Sequence, residues 1–330
     1  MKLFRRCVLS VLALFVGIVC GYLLISGLVD HRSPMAEFTD LVLILQRRSD
    51  KFTYVDAAEA YIAEKAEENK APVEIKKAKF GVTVREEREE ALQAFIFNDQ
   101  EHPAQTVFYF PGGAYINAPN AQQTTMAART AKETGSEVVL MAYPREPVYN
   151  CADAYEMCTA FYQRYIAEYD CGKIVFMGDS AGGGLALGLA EHLLKRGDPM
   201  PEQLVLFSPW VDVSMDNPDI PALVPVEPML HLELVKVHGE YWAGDAGTHH
   251  WQVSPLFGDM ARLPPVTIYC GTRELLYPDI LLARDKLAAA GVEVTLRVGQ
   301  SLNHDWPLMP LPEAKAALRH VAALVQGTEG

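Results

Sequence analysis

The sequence predicts an α/β fold: a mainly parallel central sheet with helices on both faces and a helical cap, preceded by one N-terminal transmembrane helix. Three observations carry this. Short apolar strand patterns alternate with helical patterns over most of the chain, the mark of right-handed β-α-β crossovers and a sheet covered on both sides. An apolar run from Cys7 to Val29 contains no charged residue. A long proline-bearing stretch, about residues 214–254, separates two strand patterns where a short connection would suffice.

The N-terminal run comes first. Lys2, Arg5 and Arg6 precede it. At 1.5 Å rise per residue, about 20 residues cross the hydrocarbon core, so the run is long enough to span. A cleaved secretory signal has a shorter apolar region, about 7–15 residues, and then a small-x-small site. Leu28-Val29-Asp30-His31 is a poor site of that kind, and Val19 before Cys20 is not the small residue of a lipidation motif. The expectation is a signal anchor over residues 1–30. Basic residues on its N-terminal side leave an extracytoplasmic catalytic domain; secretion after signal cleavage is the alternative.

Residues 31–78 read as an N-terminal helical cap segment, helix-like from His31 to about Lys79. Phe38, Leu41, Val42, Ile44 and Leu45 stand at helical spacing, and Ala57–Asn69 is rich in Ala and Glu. The catalytic domain is expected over residues 79–330. Its strand patterns lie at 80–84, 92–97, 106–110, 138–142, 174–177, 204–207, 266–270 and 292–298. Helical patterns lie near 122–133, 152–168, 183–195, 280–290 and 313–325. The interruption at 214–254 carries Pro218, Pro221, Pro225 and Pro228 and then a helix-like run, Leu230–Trp242. It reads as a cap over the carboxyl edge of the sheet, where open α/β sheets bind ligands.

Bulk composition narrows the function classes. With 330 residues, 50% of them hydrophobic, the chain can bury one large core. A formal net charge of −13 without a basic cluster beyond the first residues repels phosphate backbones, so nucleic acid is not an expected partner. The 6 cysteines form no C-x-x-C pair and show no Cys/His ligand spacing, so no metal site is expected. Cys7 and Cys20 fall in the apolar run. Cys151 and Cys158 are too far apart along a helix to bridge, and Cys171 and Cys270 fall at strand ends expected to be partly buried. All six are expected to be free thiols.

Gly178-Asp179-Ser180-Ala181-Gly182 fits G-x-S-x-G and lies between a strand pattern and a helical pattern. A serine at that sharp turn takes a strained backbone, which small neighbours two residues before and after permit. The helix after it aims its first amides at developing negative charge. Ser180 is therefore the candidate nucleophile, against the blander reading of a tight turn in a dinucleotide-type sheet. Asp179 beside it reads as a structural hydrogen-bonding residue. Earlier, Pro111-Gly112-Gly113-Ala114 follows the strand at 106–110. Its glycines let the chain turn amides inward, so Gly112, Gly113 and Ala114, completed by Ala181, form the candidate oxyanion hole. A plain strand-ending turn is the alternative.

These two motifs together resemble the hormone-sensitive-lipase branch of esterases and lipases, members of the α/β-hydrolase fold. Tyr143-Pro144 and Ser208-Pro209-Trp210 add to the likeness, which covers roughly residues 75–326. One departure stands out: that family usually begins the oxyanion loop with His, and this chain has Pro111.

The hydrolase order Ser, acid, His places the base on a loop after the last strand, which makes His304 the candidate. His192 and His320 fall inside helices, and His249-His250 belong to the cap. The acid belongs after the strand at 266–270, where Glu274 and Asp279 are available. The resemblance assigns the role to Glu274 in place of the family's Asp. Asp279 is the alternative acid; after Pro278 it reads more readily as the cap of a helix starting at Ile280. Asp305, adjacent to the base, is expected to face solvent.

Such a set transfers an acyl group to water through an acyl-enzyme on Ser180 and needs no cofactor. The resemblance implies a small-molecule ester substrate with a short to medium acyl chain, and an outside placement suits environmental esters or acetyl groups on surface polysaccharide. An amidase or peptidase on the same fold, or a catalytically silent cell-surface binding module, are the alternatives.

Overall fold

The computed structural model describes residues 2–49, 55–75 and 80–328. Helix α1 (Lys2–Val29) contains an 18-residue stretch, Leu12–Val29, of mean hydropathy 2.5 and only 6% buried, long and apolar enough to cross a membrane. Helices α2 (Pro34–Ser49) and α3 (Val55–Glu68) follow. The helical expectation held out to Lys79 is thus corrected: α3 stops at Glu68, the chain from Lys70 to Ile75 passes Pro72 without helix, and 76–79 lie outside the described residues.

Eight strands form one sheet: β1 (Val84–Glu89), β2 (Leu92–Phe97), β3 (Gln105–Phe110), β4 (Glu137–Ala142), β5 (Lys173–Asp179), β6 (Gln203–Phe207), β7 (Val266–Gly271) and β8 (Val294–Gly299). Their spatial order is β1-β2-β4-β3-β5-β6-β7-β8; β2 runs antiparallel to both of its neighbours, β1 and β4, and the other neighbouring pairs are parallel. The first strand starts at Val84 and not at Phe80. Gly81 adopts φ +70°, which ends any extended run there, and Phe80 turns its ring edge-on to Phe97 at 5.2 Å. The last begins at Val294 and not at Val292, whose amide closes the preceding helix on Leu287.

Between the strands run α4 (Ala121–Thr134), α5 (Cys151–Glu168), α6 (Ser180–Arg196), α7 (Leu232–Ala243) and α8 (Tyr277–Ala289), and α9 (Pro312–Gln326) ends the fold. Alternation along β3 splits the core in two. Phe108 and Phe110 pack with residues of α5, α6 and α8 on one face, and Val107 and Tyr109 pack with α4 and α9 on the other. Cys151, Cys158, Cys171 and Cys270 are buried free thiols and Cys20 an exposed one; the Cys7 side chain lies outside the described residues.

The topology positions the site. After β3 the chain winds outward to β4, then returns past β3 to β5, so the order reverses between β3 and β5. A crevice opens above the carboxyl ends at such a switch point. Register pairs Phe110 with Gly178, which sets the glycine loop after β3 beside the turn after β5. On the other side Gly271 pairs with Gly299, bringing the loops after β7 and β8 together. The segments expected to form the cap meet each other here, the rings of Tyr61 from α3 and His238 from α7 packing edge-on.

The turn after β5 admits only glycine at its flanks. A Cβ on Gly178 would lie 2.5 Å from the carbonyl oxygen of Gly182, and one on Gly182 would lie 2.1 Å from that of Phe110. Both obstacles are backbone, so neither yields easily. Gly182→Ala should cost about 1–3 kcal/mol of stability, read as a lower urea midpoint at unchanged slope. An unchanged midpoint would show that β3 and α6 can separate without penalty.

Candidate active site

Ser180 opens α6 with φ +51°, a left-handed backbone that a side chain adopts only when its surroundings impose it. That strain turns the hydroxyl away from the sheet and toward the loops of β7 and β8. His304, on the loop between β8 and α9, places Nε2 2.9 Å from Ser180 Oγ. Its Nδ1 lies 2.6 Å from Glu274 Oε2. Oε1 of the same carboxylate accepts the Gly271 amide at 2.8 Å, which fixes the acid to the end of β7. With Nδ1–H donated to Glu274, Nε2 is the acceptor for the serine proton. All three side chains are buried.

Asp179, the neighbour of Ser180, is wholly structural in its contacts. Its Oδ1 accepts the Tyr109 hydroxyl at 2.6 Å and its Oδ2 accepts Gln123 Nε2 from α4 at 2.7 Å. The Gly112 amide lies against the same carboxylate. A Cβ there would lie 2.8 Å from that of Ser180. Gly113 (φ +128°) and Ala114 (φ +52°) carry the chain through left-handed backbone beyond it. Among the described residues, the amides of Gly113, Ala114 and Ala181 have no acceptor within the protein. They are the donors left for an oxyanion.

Pro111 does not leave the loop unsupported. The Tyr143 hydroxyl donates to the Pro111 carbonyl at 2.8 Å, Asn117 Nδ2 donates to the Gly113 carbonyl at 3.3 Å, and Asn69 Nδ2 donates to the Ile116 carbonyl at 2.8 Å. The Tyr61 hydroxyl donates to Asn117 Oδ1 at 2.5 Å. Tyr115 (φ +63°) stacks on Trp242 of α7 with ring centroids 3.8 Å apart, and on Trp210 at 5.5 Å. The cap therefore grips the loop from above. No motif marks Asn69, Tyr115, Asn117 or Trp242, and only their clustering in space singles them out.

Two sequence expectations are corrected. Asp305 does not face solvent. Its φ of +54° folds the carboxylate back over the imidazole, its amide donates to Ser208 Oγ at 3.0 Å, and its Oδ2 lies 3.3 Å from His304 Nε2. Asp279 is no helix cap, because α8 begins earlier, at Tyr277. It sits within the first turn and accepts Asn217 Nδ2 from the cap insertion at 2.7 Å, away from His304. Burial pushes its carboxyl up to about 7.

Sequence reasoning also missed Glu227, buried in the cap insertion, whose carboxylate accepts the amides of Met229, Leu230 and Leu275. Burial lowers the pKa of His304, but the charges of Asp305, Glu274 and Glu227 outweigh it and push the imidazole up to about 10. Burial in turn raises the carboxyls of Asp305 and Glu227. Among the described residues no cluster of His, Cys, Asp and Glu is arranged to hold a metal ion. The arrangement as a whole is a hydroxyl poised on a buffered base, beside free amides.

The sequence matches the α/β-hydrolase fold family over residues 107–308. This chain belongs to that family. An acetyl-hydrolase of Streptomyces hygroscopicus is 28% identical over 231 residues, which cover 68% of this chain and 76% of that one. An esterase of Acinetobacter venetianus is 29% identical over 231 residues, with 68% and 75% covered. In fold the hydrolase is like a crystal structure of an esterase from the bacterial hormone-sensitive lipase family, with a TM-score of 0.75 at 24% identity, covering 91% of this chain and 99% of that one. The hydrolase is a carboxylic ester hydrolase.

Loop support in the hydrolase rests heavily on one hydroxyl. Tyr143→Phe removes the donor to the buried Pro111 carbonyl and should lower stability by about 1–3 kcal/mol. Urea unfolding measures it. No change would mean that Asn117 and Asn69 hold the loop unaided.

Proposed function

We propose that this enzyme is a serine carboxylesterase that cleaves short- to medium-chain carboxylic esters through an acyl-enzyme on Ser180. The observation that carries the reading is the unbroken hydrogen-bond chain Ser180–His304–Glu274 at the carboxyl edge of the sheet. His304 takes the Ser180 proton as Oγ attacks the ester carbonyl. Glu274 holds the imidazole in the required tautomer and stabilises its charged form. The amides of Gly113, Ala114 and Ala181 receive the oxyanion. Collapse expels the alcohol, which takes its proton from His304. Water, activated by the same base, then frees the acid. Names of relatives, acetyl-hydrolase and esterase, support an ester over an amide. An intact proton path also weighs against a silent binding module, which has no use for it. The apolar α1 with basic residues before it supports an anchored enzyme whose site lies outside the cytoplasm.

Hydrolysis of p-nitrophenyl acetate, butyrate and octanoate by the full chain tests the reading. Ser180→Ala should lose at least about 10⁴-fold in kcat, and Glu274→Gln about 10³–10⁴-fold. Turnover that survives Ser180→Ala would overturn it.

The charge cluster sets the pH dependence. Only neutral His304 accepts the serine proton, and its pKa is raised, so kcat/KM should climb with pH along a limb displaced above the ordinary histidine value of about 6.5. Asp305→Asn removes one neighbouring charge and should move that limb down by about 1 unit or more. A limb that stays in place would show that Asp305 is protonated across the working range.

A further inference from the structure

Helix α2 is amphipathic in the wrong sense for water. Met35, Phe38, Leu41 and Leu45, which share one face at helical spacing, are 49%, 48%, 38% and 58% exposed. Its acids Glu37 and Asp40 point inward and are buried. A helix that hides its acids and shows an apolar face to water loses on both counts. Against lipid the same arrangement is favourable.

The helix is also rigidly joined to the candidate membrane span. The Arg32 amide donates to the Gly27 carbonyl at 3.0 Å and the Tyr22 hydroxyl donates to Glu37 Oε1 at 3.3 Å, so α1 turns directly into α2. The buried Arg32 guanidinium pairs with Glu37 and Asp40 and donates to the Ser301 carbonyl at 2.6 Å, on the loop that carries His304. Ser33 donates through its amide and its hydroxyl to Glu313 of α9. From the other side Arg273, beside Glu274, reaches Asp40 at 3.3 Å and donates to the carbonyl of the exposed Val226 in the cap insertion. One ionic cluster thus holds the anchor junction, the acid loop, the base loop and the cap rim.

We propose that the outer face of α2 lies in the interface of the membrane that α1 enters, and that the enzyme takes its ester from that membrane: an amphiphile whose apolar part stays in the bilayer while its short or medium acyl group reaches Ser180. The substrate class rests on the ester-hydrolase reading above; the membrane contact of α2 does not. Continuity with α1 selects lipid over a protein partner, since the apolar face begins only a few residues past the span with no slack between them.

The full chain in vesicles of phosphatidylethanolamine and phosphatidylglycerol tests both parts. A nitroxide on Phe38→Cys, in a background with Cys7→Ala and Cys20→Ala, should collide more with dissolved oxygen than with a water-soluble nickel chelate. Greater collision with the chelate would place the face in water, and little collision with either would place it in a protein contact; each overturns the proposal. Phe38→Gln with Leu45→Gln should slow hydrolysis of 1,2-dioctanoylglycerol in the vesicles about tenfold, with p-nitrophenyl acetate in water held within about twofold. Equal change on the two esters, or none on either, would overturn delivery from the membrane. A wild-type protein inactive on both would overturn the ester-hydrolase reading and leave the nitroxide measurement to decide the contact.

Discussion

A buried carboxylate that does no chemistry holds the site in shape. Asp179 gathers a tyrosine from β3, a glutamine from α4 and the amide of Gly112 around one charge. Burial raises its pKa and its three donors work against that rise. Because the donors come from three elements, the sheet, a covering helix and the glycine loop are fixed to one another at the residue before Ser180. Remove the charge and the loop keeps its ties to Tyr143, Asn117 and Asn69 but loses the group that sits next to Ser180 itself. The close approach of Gly112, Gly178 and Gly182 to their neighbours is the steric half of the same constraint.

The opposite wall is set by charge of a different kind. Glu274, Asp305 and Glu227 surround one imidazole, with Glu274 on Nδ1 and Asp305 beside Nε2. Burial raises the carboxyls of Asp305 and Glu227, while the negative charge around it raises the imidazole of His304. Glu227 belongs to the cap insertion and spends its oxygens on amides of the cap and of the acid loop. The cap therefore contributes to the electrostatics of the base as well as to the walls of the cleft. Through the Tyr115–Trp242 stack it also contributes to the shape of the loop opposite.

Both walls lead back to the N-terminal segment. Asn69 and Tyr61 brace the glycine loop, while Arg32 and Asp40 brace the loops of acid and base. The segment that leaves the apolar helix is thus built into the cleft and is not a tether hung from it.

The sequence by itself determined the alternating strands and helices of a mainly parallel sheet and the positions of Ser180 and His304, because each of these is a local property, and the family resemblance added Glu274. Strand and helix periodicities are short-range, and residues at the carboxyl ends of parallel strands are recognisable from the chain alone. Strand ends shifted where a left-handed glycine intervened, as at Gly81. What only the tertiary structure decided concerns groups far apart in the chain and close in space. Asp305 reads as solvent-facing from its neighbours, yet a positive φ and the Ser208 hydroxyl turn it over the base. The helical spacing of the apolar residues of α2 does not say which side faces the protein; a buried arginine draws the acids inward and turns the apolar side out. In both cases a distant hydrogen-bond partner, the Ser208 hydroxyl for Asp305 and the Ser301 carbonyl for Arg32, sets an orientation that periodicity does not record.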